Sequence, residues 1–454
     1  MNKWIYRSSI ALSFLLVTAC APSQSTSNAN TPKTITWLLP EDPEIDAYAN
    51  QVAKAFHKKY PNVQVKVITP GSTAYNQKLL TMAAAGQTPD IFTDWGNTGI
   101  YTIISQHLAA NLNPYFKQDK VSPNYIPATY QKEYSENGQL YGIPWLSNPT
   151  FIAYNKTLFE KYDVPLPPTS WGDKSWTTTA LLNDAEKLTH KTSSPKTSDW
   201  GANLYAGSLG SLSWLWGADP LNNQGGPTQS PAYTGSTITQ TYATSPGMVN
   251  SMQWLADLTT KYKVTPSPGT INAMSASGNA FWSGHIAIAE VAGWVWRQAA
   301  VVQPKFQWGI APMPYGPGGA DTAQREDNAF YLSSKSANPD IAFKLMLFAT
   351  QGEGANLLVN AAKVDPPNVN QNYFKQWSEG ISKISGFAMD EKTFSNVFMG
   401  GVNNDFPDPT NVISNSSDFG DPFTQLMAPV WLGRESAAQG LKNVQQAWQR
   451  AASH

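Results

Sequence analysis

The chain has 454 residues, with 31 lysines and arginines against 32 aspartates and glutamates, and charged residues make up only 14% of it. This near-neutral composition, with no block of like charge, excludes a nucleic-acid binder, which would need a basic patch or stripe. The length is too great for one ordinary hydrophobic core, so two domains are expected.

The N-terminus has the pattern of a secretory signal peptide over residues 1–19. Lys3 and Arg7 precede an apolar stretch over residues 10–17, and small residues lead to Cys20. The apolar run is shorter than the ~20 residues of a membrane-spanning helix. The segment Val-Thr-Ala-Cys that ends at Cys20 resembles the bacterial lipobox, whose cysteine is diacylated. It implies an exported protein, lipidated at Cys20, with a flexible polar tether over residues 20–33 and an anchor in the outer face of the cytoplasmic membrane.

Cysteine and histidine usage argues against a metal or a cofactor. Cys20 is the only cysteine, so neither a disulfide within the chain nor a zinc site built on thiolates is expected. The five histidines show no metal-ligand spacing. We therefore predict no metal site and no cofactor.

The first part of the mature chain alternates between strand and helix patterns. Short apolar strands are predicted at residues 34–39, 63–67 and 89–92, and the helical spacing of apolar residues predicts helices over residues 45–60 and 74–85. This order is the signature of an α/β layer architecture with a parallel sheet. Ligands of such sheets lie beyond the carboxyl ends of the strands. Glu41, Asp42, Asp94 and Trp95 follow strands and are therefore candidate ligand-binding residues.

Further elements follow along the chain. Two extended pieces are predicted, at residues 138–145 and 151–155, on either side of Ser147-Asn148-Pro149. Residues 176–188 form a predicted helix with Thr177 as N-cap, and residues 435–452 form an amphipathic C-terminal helix.

Aromatic residues are unusually abundant, with 17 Trp, 19 Tyr and 18 Phe. A single tryptophan is by default a core residue, but this surplus favours a ligand with apolar faces and polar edges, as sugar rings have.

Six segments, in this order, resemble the extracellular solute-binding proteins of bacterial sugar uptake transporters, the maltose-binding-protein type. They are residues 60–67, 78–91, 140–144 with 154–159, 281–287 with 293–294, 312–319 and 333–343. The resemblance runs along nearly the whole mature chain.

The resemblance implies a two-lobed periplasmic-binding-protein fold of type II. Each lobe would be a mainly parallel sheet flanked by helices, and the ligand would lie in the cleft between the lobes. Residues 34–146 and 308–352 would form lobe 1, and residues 147–307 and 353–454 lobe 2. Crossings are expected near Ser147, Trp308 and Gly352, with hinge closure on the ligand.

The implied function is that of the substrate-binding component of an ABC-type importer. Such a protein captures a monosaccharide or oligosaccharide by aromatic stacking and hydrogen bonds, and delivers it to permease subunits of the membrane. We expect a monomer without enzymatic activity.

The resemblance also carries over to individual positions. Asp94 and Trp95 follow the third strand, where family members place a carboxylate and an aromatic ring. Asn148 stands where some relatives have a glutamate, and Trp294 fits the stacking platform. The further candidates for the cleft are Trp145, Trp214, Trp216, Trp296, Arg297 and Asp327, whereas Trp282 is assigned to packing.

Three alternatives remain open. A secreted carbohydrate-active enzyme would need two carboxylates about 5–9.5 Å apart, which Glu41, Asp42, Asp94 and Glu290 could supply. The same fold could instead bind a polyamine, an iron–anion complex or a peptide. A purely structural surface lipoprotein is disfavoured by the ordered segments.

Overall fold

The structure is a computed structural model that describes residues 32–96, 98–222, 238–362, 371–413 and 416–452. The predicted signal peptide, the predicted lipidation site Cys20 and most of the predicted tether lie outside these residues.

The described residues form a mixed α/β protein. The strands are β1 (Lys33–Leu38), β2 (Val63–Ile68), β3 (Ile91–Thr93), β4 (Ser135–Glu136), β5 (Gln139–Leu140), β6 (Gly142–Asn155), β7 (Trp200–Asn203), β8 (Ile286–Ala292), β9 (Trp308–Ala311), β10 (Gln324–Leu332) and β11 (Phe406–Pro407). The α-helices are α1 (Pro43–Lys59), α2 (Tyr75–Ala84), α3 (Ile100–Ser105), α4 (Asn113–Gln118), α5 (Ala128–Glu133), α6 (Lys156–Lys161), α7 (Thr178–Lys187), α8 (Pro246–Thr260), α9 (Pro268–Met274), α10 (Val295–Val302), α11 (Pro339–Thr350), α12 (Gly352–Leu357), α13 (Gln371–Ile381), α14 (Glu391–Asn404), α15 (Ser416–Trp431) and α16 (Ala437–Ala451).

The predicted strand–helix alternation over residues 34–92 is confirmed. Helix α1 begins after Asp42, whose side chain accepts hydrogen bonds from the N–H groups of Glu44 and Ile45, and Pro43 occupies its first turn. Its buried face is apolar, as the helical spacing predicts. The helix capped by Thr177 is also present, with the Thr177 side chain accepting from the N–H of Ala180.

Lobe 1 is built on a sheet in which β1 pairs in parallel with both β2 and β3. Strand β10 adds to the other side of β3 in antiparallel orientation, and the first half of β6 then pairs with β10. Trp37, Trp145 and Phe330 stand at the centre of this lobe's core, where the rings of Trp145 and Phe330 stack with their centroids 4.6 Å apart.

Lobe 2 is built on the second half of β6, which pairs antiparallel with β8 and β9, while β7 pairs in parallel with β8. Because side chains alternate along a strand, β6 supplies both faces of this sheet. Ile152 and Tyr154 belong to one hydrophobic core, and Phe151 and Ala153 belong to the other. The latter core is rich in aromatic rings, with Trp296 in contact with Trp308.

Strand β6 is one continuous element of 14 buried residues that passes from lobe 1 to lobe 2. The prediction of two pieces separated around Asn148 and Pro149 was therefore wrong. The strand continues because it changes partner at this point, from β10 up to Pro149 to β8 from Thr150 onwards. A proline lacks the N–H that a ladder position needs, and a change of partner is a place where that loss is tolerated.

The return to lobe 1 lies in β10. Residues 308–311, where the sequence placed the return, form β9 and pair with the second half of β6 in lobe 2. The chain leaves the lobe 2 core after Ala323 and enters the lobe 1 core at Ala329. A run of apolar residues such as 308–311 could belong to either sheet, because periodicity does not identify the partner strand.

A buried polar cluster joins the two crossing strands. Asp405 accepts a hydrogen bond from the N–H of Thr150 (2.8 Å) on one carboxylate oxygen and from the N–H of Ala323 (3.0 Å) on the other. Next to it, Arg325 donates to Asp327, to Glu133 of lobe 1, and to the carbonyl oxygens of Val402 and Asp405. The crossing strands are thus held by a buried polar cluster in which Arg325 contacts both lobes.

No helix in the described ranges has the length and apolar character needed to cross a membrane.

Candidate functional site

A cavity of about 380 Å³ lies between the two lobes. It is lined by Trp95, Gly96, Asn148, Ser208, Trp294, Arg297, Gln298, Glu326, Asn328, Asp408, Thr410 and Asn411. Lobe 1 contributes the residues that follow β3, and lobe 2 those that follow β8 and β11. The crossing strands β6 and β10 supply the floor through Asn148, Glu326 and Asn328. The walls of the cavity are therefore formed by residues of both lobes.

Each lobe contributes one indole to the cavity. Trp95 packs against the core of lobe 1, and Trp294 packs against the aromatic core of lobe 2. Both side chains are half-buried, so each is anchored by the core on one part of its surface and faces the cleft with another. Such indoles offer flat apolar faces with little conformational freedom.

Three amide side chains are fixed on the cleft wall by backbone carbonyls. The Nδ2 of Asn148 donates to the carbonyl of Glu326 (3.0 Å), that of Asn328 to the carbonyl of Asp94 (2.9 Å), and that of Asn411 to the carbonyl of Asp327 (3.3 Å). Each amide is therefore held in one orientation before any ligand arrives.

Two carboxyl groups face the cavity. Asp408 accepts from the Ser208 hydroxyl (2.6 Å) and from both the N–H (2.7 Å) and the hydroxyl (2.6 Å) of Thr410. Burial and the neighbouring charge of Asp408 raise the pKa of Glu326 to about 7. Near neutral pH the Glu326 carboxyl therefore exists in both protonation states, and it can either donate or accept a hydrogen bond.

Arg297 supplies a cation to the wall, in the first turn of α10. The residue is only 9% exposed, and its Nη1 is buried and has no hydrogen-bond partner among the described residues. Its Nε lies 3.9 Å from a carboxylate oxygen of Asp42 in lobe 1. A buried donor without a partner is costly, so this nitrogen is suited to meeting an acceptor on a ligand.

A second cavity, of about 420 Å³, adjoins the first and shares Ser208 and Thr410 with it. Tyr205 lies at its edge with 42% of its surface exposed, while its hydroxyl accepts long hydrogen bonds from Asn203 (3.4 Å) and Asn279 (3.5 Å). The ring is therefore exposed to solvent, while the hydroxyl group is held by these two hydrogen bonds. The remaining lining residues are Ala206, Gly207, Leu209, Gln324, Gly420, Asp421, Phe423, Thr424 and Trp431.

The turn that carries Ser208 into both cavities depends on Gly207. Its φ is +69°, a conformation that residues with a Cβ rarely adopt, and a Cβ there would come within 2.0 Å of the Ser211 hydroxyl. The N–H of Ser208 then donates to the side-chain oxygen of Gln324 (2.7 Å), which also accepts from the Ser211 hydroxyl.

Four of the twelve predicted ligand-binding residues line the cleft cavity: Trp95, Asn148, Trp294 and Arg297. Asp42 is not part of the lining but pairs with Arg297. Glu41 is exposed and lies outside the lining. Their roles in binding remain predictions.

The other predicted residues lie behind the cleft walls. Asp94 is 1% exposed and accepts from the N–H of Ala329 (2.6 Å). Burial raises the pKa of Asp94 to about 7. Asp327 is fully buried beside Arg325. Trp145 and Trp296 are fully buried in the two lobes, Trp214 is buried and donates to Asp219, and half-buried Trp216 packs on Trp254.

Sequence reasoning missed Gly96, Ser208, Gln298, Glu326, Asn328, Asp408, Thr410 and Asn411, all of which line the cavity. For two of them a signal existed. Alternation along β10 places Glu326 and Asn328 on one face and Asp327 on the other, and it is Glu326 and Asn328 that line the cavity. The loop residues after β11 carry no period that would identify them.

The carboxylates considered for an enzyme are largely engaged elsewhere. Glu290 accepts from the N–H of Tyr205 (3.0 Å), and burial raises the pKa of Glu290 to about 7. In the part of the chain that the structure describes, no group of three or more His, Cys, Asp or Glu side chains is arranged to hold a metal ion.

Comparison with known proteins agrees with this arrangement. The multiple sugar-binding protein of Streptococcus mutans is 24% identical over 169 residues, which is 35% of this chain and 36% of that protein. The galactooligosaccharide-binding protein of Bacillus subtilis is 29% identical over 161 residues, which is 36% of this chain and 37% of that protein.

Among solved structures, the ABC substrate-binding protein of Listeria monocytogenes in complex with cycloalternan superposes with a TM-score of 0.76 at 20% identity. The match covers 93% of this chain and 99% of that one. This likeness confirms the predicted two-lobed fold. The model of the bacterial extracellular solute-binding proteins matches residues 40–356, more than half of the chain. By fold and by sequence, the chain belongs to the family of bacterial extracellular solute-binding proteins.

Proposed function

We propose that this chain is the exported substrate-binding component of an ABC-type importer and that it captures a carbohydrate between its two lobes. The observation that carries the proposal is the cavity in which Trp95 and Trp294 face a shared space from opposite lobes, with fixed amides and carboxyls around them. A pyranose ring has apolar C–H faces and a rim of hydroxyl groups, which are the features such a cavity complements.

The size of the cleft favours more than one sugar unit. The main cavity of about 380 Å³ and the adjoining cavity of about 420 Å³ meet at Ser208 and Thr410. A ligand that fills both would pass the half-exposed ring of Tyr205. The printed names of relatives point the same way, since they include a galactooligosaccharide-binding protein and a structure with bound cycloalternan.

The polar groups of the cleft explain how such a protein would select its ligand. Because Asn148, Asn328 and Asn411 are held by backbone carbonyls, they cannot turn to suit a different hydroxyl pattern. A sugar with the wrong pattern leaves buried groups without partners and is rejected.

The resemblance at the N-terminus adds an anchor to this proposal. Lipidation at Cys20 would hold the protein at the outer face of the cytoplasmic membrane, where it would deliver its ligand to the permease subunits as a monomer. The name of the family, extracellular solute-binding protein, agrees with export.

A thermal-shift screen tests the proposal. The chain from residue 20 onward, with Cys20→Ala to prevent acylation, is heated with maltotriose, raffinose, a galacto-oligosaccharide or cycloalternan, and separately with spermidine, ferric citrate or a tripeptide. A sugar present at 100 times its Kd stabilises the folded state by about 2.7 kcal/mol. Stabilisation by one or more sugars, together with a change in tryptophan fluorescence, is the expected result. Stabilisation by a non-sugar alone would replace the carbohydrate with that ligand class, and turnover of any sugar would contradict a pure binding role.

A further inference from the structure

An ion pair outside the crossing strands connects the two lobes. Asp42 follows β1 in lobe 1, and Arg297 lies on α10, which follows β8 in lobe 2. The Arg297 Nε and an Oδ2 of Asp42 are 3.9 Å apart. The other ion pairs of the described residues are formed within one lobe or involve Arg325 on the crossing strand β10.

The two oxygens of the Asp42 carboxylate have different neighbours. Its Oδ1 accepts from the N–H groups of Glu44 (3.1 Å) and Ile45 (3.2 Å) and so caps α1. The capping bonds hold the carboxylate through Oδ1, and Oδ2 lies on the side of Arg297.

The two edges of the Arg297 guanidinium lie in different surroundings. Its side chain is 10% exposed, its Nε edge faces Asp42, and its Nη1 is buried with no partner among the described residues while the residue lines the cleft cavity. A guanidinium group is planar and rigid, so fixing the Nε edge also sets the directions of the remaining N–H groups.

We infer that Asp42 is a positioning residue for ligand binding, acting through Arg297. Its carboxylate orients the guanidinium from the opposite lobe so that the free Nη1 meets an oxygen atom of the ligand. Because the two residues belong to different lobes, their attraction also opposes separation of the lobes. The positioning role rests on the proposed function, whereas the link between the lobes stands on the ion pair itself.

Two other carboxyl groups lie near this ion pair. Glu44 lies beside Asp42, and burial together with a hydrogen bond to Asp42 raises the pKa of Glu44. Glu326, on the cleft floor, also interacts with the charge of Arg297. Among the residues that the structure describes, Asp42 alone comes within ion-pair distance of the guanidinium, so its loss should change the position of Arg297 more than loss of any described neighbour.

The test compares Asp42→Asn with Glu41→Gln, alone and in an Arg297→Gln background. Asparagine caps helices about as well as aspartate, so Asp42→Asn removes the charge while preserving α1. Glu41 is the adjacent exposed carboxylate and serves as the matched control. Circular dichroism verifies that each variant is folded.

The first measurement needs no ligand. Small-angle X-ray scattering of the ligand-free protein should show the same increase in radius of gyration for Asp42→Asn, Arg297→Gln and the double variant, and no change for Glu41→Gln. An unchanged radius in Asp42→Asn, or equal changes in Asp42→Asn and Glu41→Gln, would overturn the link between the lobes.

The second measurement is binding of maltotriose and of raffinose, followed by tryptophan fluorescence. For a sugar that the unmodified protein binds, Asp42→Asn should weaken affinity about three- to tenfold, mainly through faster dissociation, and should have no further effect in Arg297→Gln. An equal loss in both backgrounds would overturn the positioning role. If neither sugar binds the unmodified protein, that failure concerns these sugars and the proposed function, and the scattering result still decides whether the lobes are linked.

Discussion

Trp95 and Trp294 are contributed by opposite lobes and line the same cavity. Neither ring is fully buried, so removing either one opens a smaller void than removing a core tryptophan would. A ligand that contacts both rings buries apolar surface against each lobe. It buries this surface on both sides only when the two lobes are close together. This relationship gives the clearest mutational expectation for the site.

We expect Trp95→Ala and Trp294→Ala each to weaken sugar binding by about 2 kcal/mol or more, as is usual for anchoring aromatic residues. The matched control is Trp216→Ala, because Trp216 is also half-buried but packs on Trp254 and does not line the cleft cavity. Isothermal titration calorimetry at a temperature well below unfolding measures the change. Equal losses of binding free energy in all three variants would mean that Trp95 and Trp294 contribute no more to binding than a tryptophan outside the cavity.

The second expectation concerns Glu290, whose pKa is raised to about 7 by burial. A carboxyl whose folded-state pKa lies above its unfolded value stabilises the protein below the unfolded pKa, and this contribution is lost as pH rises through the folded pKa. With the unfolded pKa near 4.5, the loss occurs between about pH 4.5 and 7. It amounts to a value on the order of 3 kcal/mol, since one pKa unit corresponds to about 1.36 kcal/mol.

Glu290→Gln removes this titration and keeps an oxygen to accept from the N–H of Tyr205. We therefore expect the stability of the variant, relative to the unmodified protein, to increase as pH rises from 4.5 to 7.5. Urea unfolding at both pH values measures the difference. The exposed Glu41→Gln serves as the control for loss of a surface carboxylate. A parallel pH dependence in Glu290→Gln and the unmodified protein would argue against a protonated Glu290.

The third expectation concerns Asp405, which accepts from the N–H groups of Thr150 and Ala323 with its two oxygens. An asparagine has one oxygen acceptor, so Asp405→Asn leaves one buried N–H without a partner, which costs about 1–3 kcal/mol. The urea midpoint should fall accordingly. Asp390→Asn is the control, because Asp390 is an exposed helix cap that asparagine can replace. Equal midpoints in the two variants would mean that the crossing strands do not depend on Asp405.

The fourth expectation concerns the membrane anchor. In the producing cell, Cys20→Ala should abolish acylation and release the protein from the membrane fraction, because Cys20 is the only cysteine that could carry an acyl group. Partition into Triton X-114 and labelling with a fatty acid measure the effect. Ser23→Ala, three residues along the predicted tether, should leave both unchanged. Retention of Cys20→Ala in the detergent phase would contradict lipidation at this residue.

Much of the fold could be predicted because local patterns in the sequence determine its helices and strands. The helical spacing of Val52 and Phe56, the Pro61-Asn62 stop and the alternation over residues 63–67 locate α1 and β2 to within a few residues of their observed bounds. The strand partners were harder to predict from the sequence, because the continuity of β6 through Pro149 depends on the strands that pair with it.

The site was harder to predict, for a geometric reason. Trp294 and Trp296 are two positions apart at the start of α10, yet the first lines the cleft and the second is fully buried among aromatic rings. A count of tryptophans indicates a ligand with apolar faces but does not show which ring faces it. That distinction requires the phase of the helix relative to the sheet, which follows from long-range packing.

The position of β10 has a consequence for how the protein is made. This strand lies between β3 and β6 in the sheet of lobe 1, although it is far later in the chain than either. Until β10, which begins at Gln324, has left the ribosome and the export channel, β3 and β6 lack the neighbour that separates them. Both present unpaired edges, which are sites of aggregation. Chains truncated before this strand should therefore fail to form the sheet of lobe 1, and the earlier strands stay without this neighbour until residue 324 of the 454 has been made.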